Sequence, residues 1–332
     1  MSGVLVLPHG APEDVWLARR REGIGASEIA AIMGISPWES RFSTWWRKRE
    51  GWDSPANDEM SVGKFLEPTI AAWFEEFGDP NENLTFTPAG LYRHPEREWQ
   101  LATPDRLLWV HDMDDCGCDL PDPWSHEDDC SYLERRLVGL LECKWVAHSW
   151  DGWGEENTDQ VPVYYRAQAL WQLDVMGVDE VLVCALGPGG FRVYRVHRDE
   201  RDLLLMREEG RRFMESLAAG EPPDVDDHSA TLRTLKALHP TVDDIDIEVP
   251  VDFAEGYRRA RALASRTAAL VDRFDARARL LLGNGRRLMV GKKLVVSRSV
   301  YDQSGDSAEL TAIDGEWPTT DRLNPGRAKT YV

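Results

Sequence analysis

The sequence has no apolar run approaching the length of a membrane span, and its start, MSGVLVLPHGAPEDVW, lacks a signal-peptide pattern. Both absences point to a cytoplasmic protein with no membrane partner. Cysteine is scarce: five in 332 residues, an odd number without a secreted spacing, so no disulfide framework is expected. Positive charge is in deficit, with 39 Lys and Arg against 58 Asp and Glu and a formal net charge of −19. That argues against broad, sequence-blind binding to a polyanion and leaves any such contact to a local basic surface. Charge is also uneven. The stretch from His111 to Asp129 is rich in Asp and has no Lys or Arg, whereas Arg258 to Arg298 is rich in both. No repeat or low-complexity tract interrupts the chain.

What is present is an ordinary soluble composition, 42% hydrophobic and 29% charged, in a chain long enough for one large domain or two modest ones. Asp14 opens a helix through Trp16, Leu17 and Arg20. A glycine turn, Gly23-Ile24-Gly25-Ala26-Ser27-Glu28, follows. A helix from about Met60 to Gly78 is predicted to bury Phe65, Ile70, Trp73, Phe74 and Phe77. Strands are predicted at 84–86, 90–93, 100–103, 106–110 and 137–146. Pro162 opens a helix that Gly177 ends, and a hairpin at 181–186 and 191–196 precedes a helix over 199–217. These elements form a first domain, 1–220, with an acidic insertion at about 111–135. A linker is predicted at 221–250. A helical extension with a small hairpin fills 251–332, its helix carrying a narrow apolar stripe of Phe253, Tyr257, Ala260, Ala264, Val271, Phe274 and Leu281.

The chemistry starts from Glu142-Cys143-Lys144. Side chains alternate on a strand, so Glu142 and Lys144 share a face and Cys143 takes the other. Two charges on an apolar strand, beside Val138, Leu140, Leu141 and Val146, are costly unless paired or bound to something. Metal and phosphate supply that something. Glu142 offers the hard oxygens Mg²⁺ prefers, and Lys144 suits the attacking water or the scissile phosphate. A second carboxylate is needed. Asp105, after Pro104, lies where a sequential strand could pair with the Glu142 strand. Glu67 is a third acid, placed by its spacing on the polar side of its helix, away from Trp73. Alone, each piece is weak: E-x-K triplets are common, and Pro-Asp is usually a turn. Their order along the chain is the stronger signal.

That order resembles the PD-(D/E)XK nucleases, and within them the YqaJ-like viral recombinases related to lambda exonuclease. The matching residues are Arg20 with Gly23-Ile24-Gly25-Ala26-Ser27-Glu28-Ile29-Ala30, Gly63 with Leu66-Glu67-Pro68, Ala102-Thr103-Pro104-Asp105, Leu141-Glu142-Cys143-Lys144, and Val161-Pro162-Val163-Tyr164-Tyr165-Arg166-Ala167-Gln168. They cover roughly residues 15–200 in family order. The resemblance implies a restriction-endonuclease-like α/β fold, a mixed central sheet flanked by helices. It implies Mg²⁺- or Mn²⁺-dependent 5′-to-3′ digestion of double-stranded DNA from its ends in phage-type recombination, in the host cytoplasm if phage-encoded. Single strands would pass to an annealing protein, and a homo-oligomeric ring would thread the duplex. Residue by residue, Asp105 and Glu142 resemble the metal ligands, with the Cys143 backbone carbonyl. Lys144 resembles the catalytic lysine, Glu67 the helix acid of a second metal or its water, and Gln168 the active-site glutamine. Arg20 and Ser27 resemble the residues that hold the 5′ phosphate, a role that an amide-rich turn entering a helix suits; Arg19 and Arg21 compete with Arg20 for it.

Plainer roles exist for several of these. Ser27 could be an N-cap and Glu67 a first-turn acid. Trp145 and Trp150 are expected to pack rather than stack on bases. Cys116, Cys118, His126 and Cys130 in the acidic insertion offer zinc ligands, but at irregular spacing, so an acidic surface loop is favoured over a Zn²⁺ site. The basic helix after the linker suits DNA backbone, a coiled coil or packing on the first domain. Other functions of the same fold are an endonuclease, a Cas4-like nuclease, whose cysteine pattern is absent, or an inactive DNA-binding module.

Overall fold

A computed structural model describes residues 3–52, 58–78, 84–111, 135–302 and 319–325. The chain divides into two compact units, Met1–Val242 and Asp243–Val332.

The first unit begins with β1 (Val4–Leu7) and α1 (Glu13–Arg21), whose last turn carries Arg19, Arg20 and Arg21. The short β2 (Ile24–Gly25) leads through a 3-10 turn (Ala26–Glu28) into α2 (Ile29–Ile32). Next come α3 (Arg41–Glu50), capped by Ser40, and α4 (Asp58–Phe77). Four strands follow: β3 (Leu84–Pro88), β4 (Leu91–Arg93), β5 (Gln100–Ala102) and β6 (Arg106–His111). The longest strand, β7 (Arg135–Trp145), is joined through α5 (Val163–Met176) to β8 (Glu180–Gly187) and β9 (Gly190–His197). Two helices, α6 (Glu200–Ala219) and α7 (Ser229–Leu238), complete the unit.

The central sheet has the order β3-β6-β7-β8-β9, and a second sheet runs β1-β4-β5-β2. All neighbours in the central sheet are antiparallel except β7 and β8, which α5 connects in parallel. This is the mixed sheet flanked by helices expected of the restriction-endonuclease-like class, and β6 and β7 pair as sequential strands, as their order predicts. Alternation along β7 sends Leu140 into a core with Ala167, Leu170, Val181 and Val183 on the α5 side. Leu141 and Cys143 enter a second core, with Ile70, Phe74, Leu182 and Cys184, on the α4 side. Gly177 ends α5 in the left-handed conformation at φ 68°, the backbone glycine adopts without strain.

Four expectations change here. Phe65 and Phe77 are not buried but 80% and 64% exposed. The buried stripe of α4 is Ile70, Ala71 and Phe74, and helical spacing puts Glu67, not Phe65, in line with it. Glu67 therefore stands on the face that meets the sheet rather than on a polar side. It also lies well inside a helix that starts at Asp58, so it is no first-turn acid. Within the stretch read as linker, α7 docks on α3, where Thr231 and Ser40 share a buried 2.7 Å hydrogen bond.

The second unit holds α8 (Val251–Leu282), then β10 (Arg287–Val290), β11 (Lys293–Asp302) and β12 (Thr319–Pro325) in an antiparallel sheet of that order. The predicted long helix and small hairpin are present, with β12 added to the hairpin.

Candidate active site

The pairing of β6 with β7 leaves a notch. Arg106 opposes Leu141, so residues 142–145 run past the start of β6 and pair only with β8. Asp105 stands at that start. Its Oδ2 accepts a 2.6 Å hydrogen bond from the Cys143 amide, which occupies the ladder position a longer β6 would fill.

Glu142, 4% exposed, points to the α5 side of the sheet. Its Oε1 accepts from Lys144 Nζ at 2.5 Å and from Gln168 Nε2 at 2.5 Å, and its Oε2 accepts from Gln172 Nε2 at 2.7 Å. Lys144 also donates to Gln168 Oε1 at 3.2 Å and lies 4.9 Å from the centre of the Tyr165 ring. One helix thus fixes both oxygens of Glu142 from side chains one turn apart. Gln172 was not anticipated from the sequence. It is fully buried, and its Oε1 has no hydrogen-bond partner among the described residues.

The electrostatics follow from crowding three acids. Burial, then the Glu142 and Glu67 charges, push the Asp105 carboxyl well above its ordinary range. Burial and Glu142 likewise raise Glu67. Burial works against the Lys144 charge, but Glu142 and Asp105 outweigh it and hold the ammonium above its usual value. Burial and the nearby Asp105 raise the Cys143 thiol, so it stays protonated, packed against the α4 core. Among the described residues no three His, Cys, Asp or Glu side chains already converge as a metal cluster. The donor chemistry nevertheless fits a hard dication: the acids repel one another, and added positive charge relieves that repulsion.

A second cluster surrounds the glycine turn. Arg20 Nη2 donates to Ser27 Oγ at 2.5 Å and the guanidinium lies 4.9 Å from the Trp16 ring centre, whereas Arg19 pairs with Glu22. Of the last-turn arginines it is Arg20 that meets the exposed Ser27. Beneath the turn lies Glu28, 6% exposed. It takes the Gly25 amide at 2.8 Å, Lys48 at 2.9 Å and Arg47 at 3.2 Å, while Lys48 donates to the Gly23 carbonyl at 2.6 Å. Burial alone would raise Glu28, but Lys48, Arg20 and Arg47 bring it down to about 2. Burial lowers Lys48 against the pull of Glu28; with three cations around one carboxylate, Glu28 keeps its charge. The turn is tied to α5, since Trp171 Nε1 donates to the Ile24 carbonyl at 3.2 Å. Glu28, Lys48 and Arg47 were not anticipated as site residues, although Glu28 stands inside the quoted motif.

Trp145 packs with the α4 core, and Trp150 donates to the Pro188 carbonyl at 2.8 Å, so both pack as expected. Cys116, Cys118, His126 and Cys130, with the acidic insertion, lie outside the described residues. No helix among the described residues is long and apolar enough to cross a membrane.

Residues 15–179 match the model of the YqaJ-like viral recombinase domain. Among curated proteins the chain is 25% identical over 235 residues to the uncharacterized protein YqaJ of Bacillus subtilis (strain 168), a match covering 67% of this chain and 62% of that one, less than two thirds of the relative's length. Among solved structures it is similar to an alkaline exonuclease, LHK-Exo, from Laribacter hongkongensis, at 20% identity over 69% of this chain and 100% of that one, with a TM-score of 0.44. LHK-Exo in complex with dAMP aligns at 19% identity over 69% and 100% of the two chains, with a TM-score of 0.45. SSO0001 aligns at 10% identity over 67% and 94%, with a TM-score of 0.35.

Proposed function

Residues 15–179 of this chain are a YqaJ-like viral recombinase domain, and from that premise we propose that the protein is a divalent-metal-dependent exonuclease of double-stranded DNA that digests 5′ to 3′. The observation that carries the proposal is the notch at Leu141, to which Asp105, Glu142 and Lys144 all belong and where Glu67 and Asp105 both feel the Glu142 charge.

Asp105, Glu142 and the Cys143 carbonyl are the proposed ligands of Mg²⁺ or Mn²⁺, with Glu67 serving a second ion or its water. Bound there, the ion supplies charge neutralisation at the phosphate and acidity toward water. Lys144, held above its ordinary value, keeps an ammonium where negative charge grows on the scissile phosphate. Gln168 and Gln172 orient Glu142, and Gln168 also accepts from Lys144, so α5 sets the angle between acid and lysine. Arg20 and Ser27 are proposed to hold the terminal 5′ phosphate, and Glu28 to stiffen the turn beneath them. The product strand would pass to a single-strand annealing protein. A homo-oligomeric ring around the duplex is the assembly the resemblance implies.

The test is digestion of a linear duplex with one 5′-phosphorylated end against a closed circle, with and without Mg²⁺. Mg²⁺-dependent loss of the linear species alone supports the proposal. Cutting of the circle makes the protein an endonuclease, and binding without cutting makes it an inactive module.

A further inference from the structure

Helix α8 is 32 residues long, yet Leu282 is its one buried residue. Its large side chains at Phe253, Tyr257, Val271, Phe274 and Leu281 are 53% to 74% exposed. An apolar stripe of that length standing in water is the mark of an interface. The spacing defines which kind. Phe253, Tyr257, Ala260, Ala264, Thr267, Val271, Phe274, Ala278 and Leu281 follow one another at strict intervals of four and three. That is a heptad seam, with Tyr257, Ala264, Val271 and Ala278 at a and the other five at d. The outer b and c positions hold Arg258, Arg259, Arg266, Arg273 and Arg279, so pairing along the seam leaves these cations in solvent.

We propose that α8 pairs with α8 of a second copy of this chain as an antiparallel coiled coil. In antiparallel pairs each a residue faces a d residue of the other helix. A two-fold axis near residue 269 then closes all eight positions from Tyr257 to Leu281 onto one another. Tyr257 faces Leu281, Ala260 faces Ala278, Ala264 faces Phe274, and Thr267 faces Val271, each layer occurring twice. The bulk of Phe274 thus enters the space that Ala264 leaves, which is how facing positions fill without a void. Charge selects the same arrangement. At the flanking e positions the antiparallel pair sets Arg261 against Asp275 of the other copy, again twice. An in-register parallel pair instead faces Asp275 with Leu270 and stacks Phe274 on Phe274, leaving both charges without opposites. The seam from Tyr257 to Leu281 runs about 36 Å at 1.5 Å per residue, and it is made by the second unit, so it is a contact separate from any that residues 15–179 make between copies.

Light scattering on the full chain tests this. The mass is expected at two chains of 37.7 kDa, or an even multiple. Phe274→Asp is expected to halve it while the helical circular-dichroism signal of the folded chain stays. Arg261→Glu and Asp275→Arg are each expected to weaken association on the order of tenfold by facing like charges, and the double variant R261E/D275R to restore it. A monomeric wild type at 50 µM overturns the proposal. So does a mass that Phe274→Asp leaves unchanged, or a double variant no better associated than the single ones.

Discussion

The Cys143 amide donates to the Asp105 carboxylate at 2.6 Å, although 38 residues separate them in sequence. The bond places one acid of the site on the backbone of the strand that carries the other acid and the lysine. Burial and the Glu142 and Glu67 charges raise the Asp105 carboxyl, and burial and Glu142 raise Glu67, so a cation placed beside these acids relieves their repulsion.

Gln172 links stability to function. Its Nε2 holds Glu142, while its Oε1 is buried without a partner among the described residues. Gln172→Met removes that unsatisfied oxygen but strips the buried Glu142 Oε2 of its donor, so stability is expected to fall by about 1–3 kcal/mol and the urea midpoint with it. Loss of a residue that orients a ligand costs activity by about 10–100-fold. Urea unfolding and digestion rates across a Mg²⁺ titration measure the two separately.

Arg20 and Ser27 are expected to read the end of the strand. Charged hydrogen bonds contribute about 1.5–3 kcal/mol each, so Arg20→Ala should raise KM for a 5′-phosphorylated duplex by about 10–150-fold. The same variant should leave a 5′-hydroxyl duplex nearly unaffected. Equal losses on both ends would remove phosphate reading from this turn.

Glu28 gives a pH dependence of stability. Its carboxyl sits at about 2 in the fold against an ordinary 4.5. Its contribution is therefore complete above 4.5 and is lost as pH falls toward 2, a change on the order of 3 kcal/mol. Glu28→Gln should be less stable at neutral pH and show a flatter loss between pH 4.5 and 2. Denaturant unfolding at fixed pH values checks this.

Asp174 is 3% exposed and anchors Arg97, Arg198, Arg207 and Gln100 between α5, α6 and the strands. Removing the single acid strands three cations around a buried gap, so Asp174→Ala is expected to cost about 3–5 kcal/mol in guanidinium unfolding.

The sequence carried much of this, for local reasons. Alternation placed Glu142 and Lys144 together, strand adjacency placed Asp105 beside them, and Pro162 and Gly177 bracketed α5. The facing of α4 was not legible, because aromatic residues lie around much of that helix. Which of them turns inward depends on what the sheet presents, and Trp73 ends half-buried against the α4 core, stacked on Phe191 at 4.0 Å. Gln172 on an apolar helix has no local mark of its role. Glu28 draws Arg47 and Lys48 from another helix, a pairing that spacing does not encode. Helix α7 falls in an acidic, proline-containing stretch that reads as linker until its contact with Ser40 is seen.

The most direct test of the central claim is the digestion rate of a linear 5′-phosphorylated duplex in Mg²⁺ by the wild type and by Lys144→Ala, with folding checked by circular dichroism. Loss of one group that stabilises transition-state charge is expected to slow the reaction by about 10²–10³-fold or more with the fold intact. A Lys144→Ala protein that digests the duplex as fast as the wild type would contradict the assignment of the site at Asp105, Glu142 and Lys144.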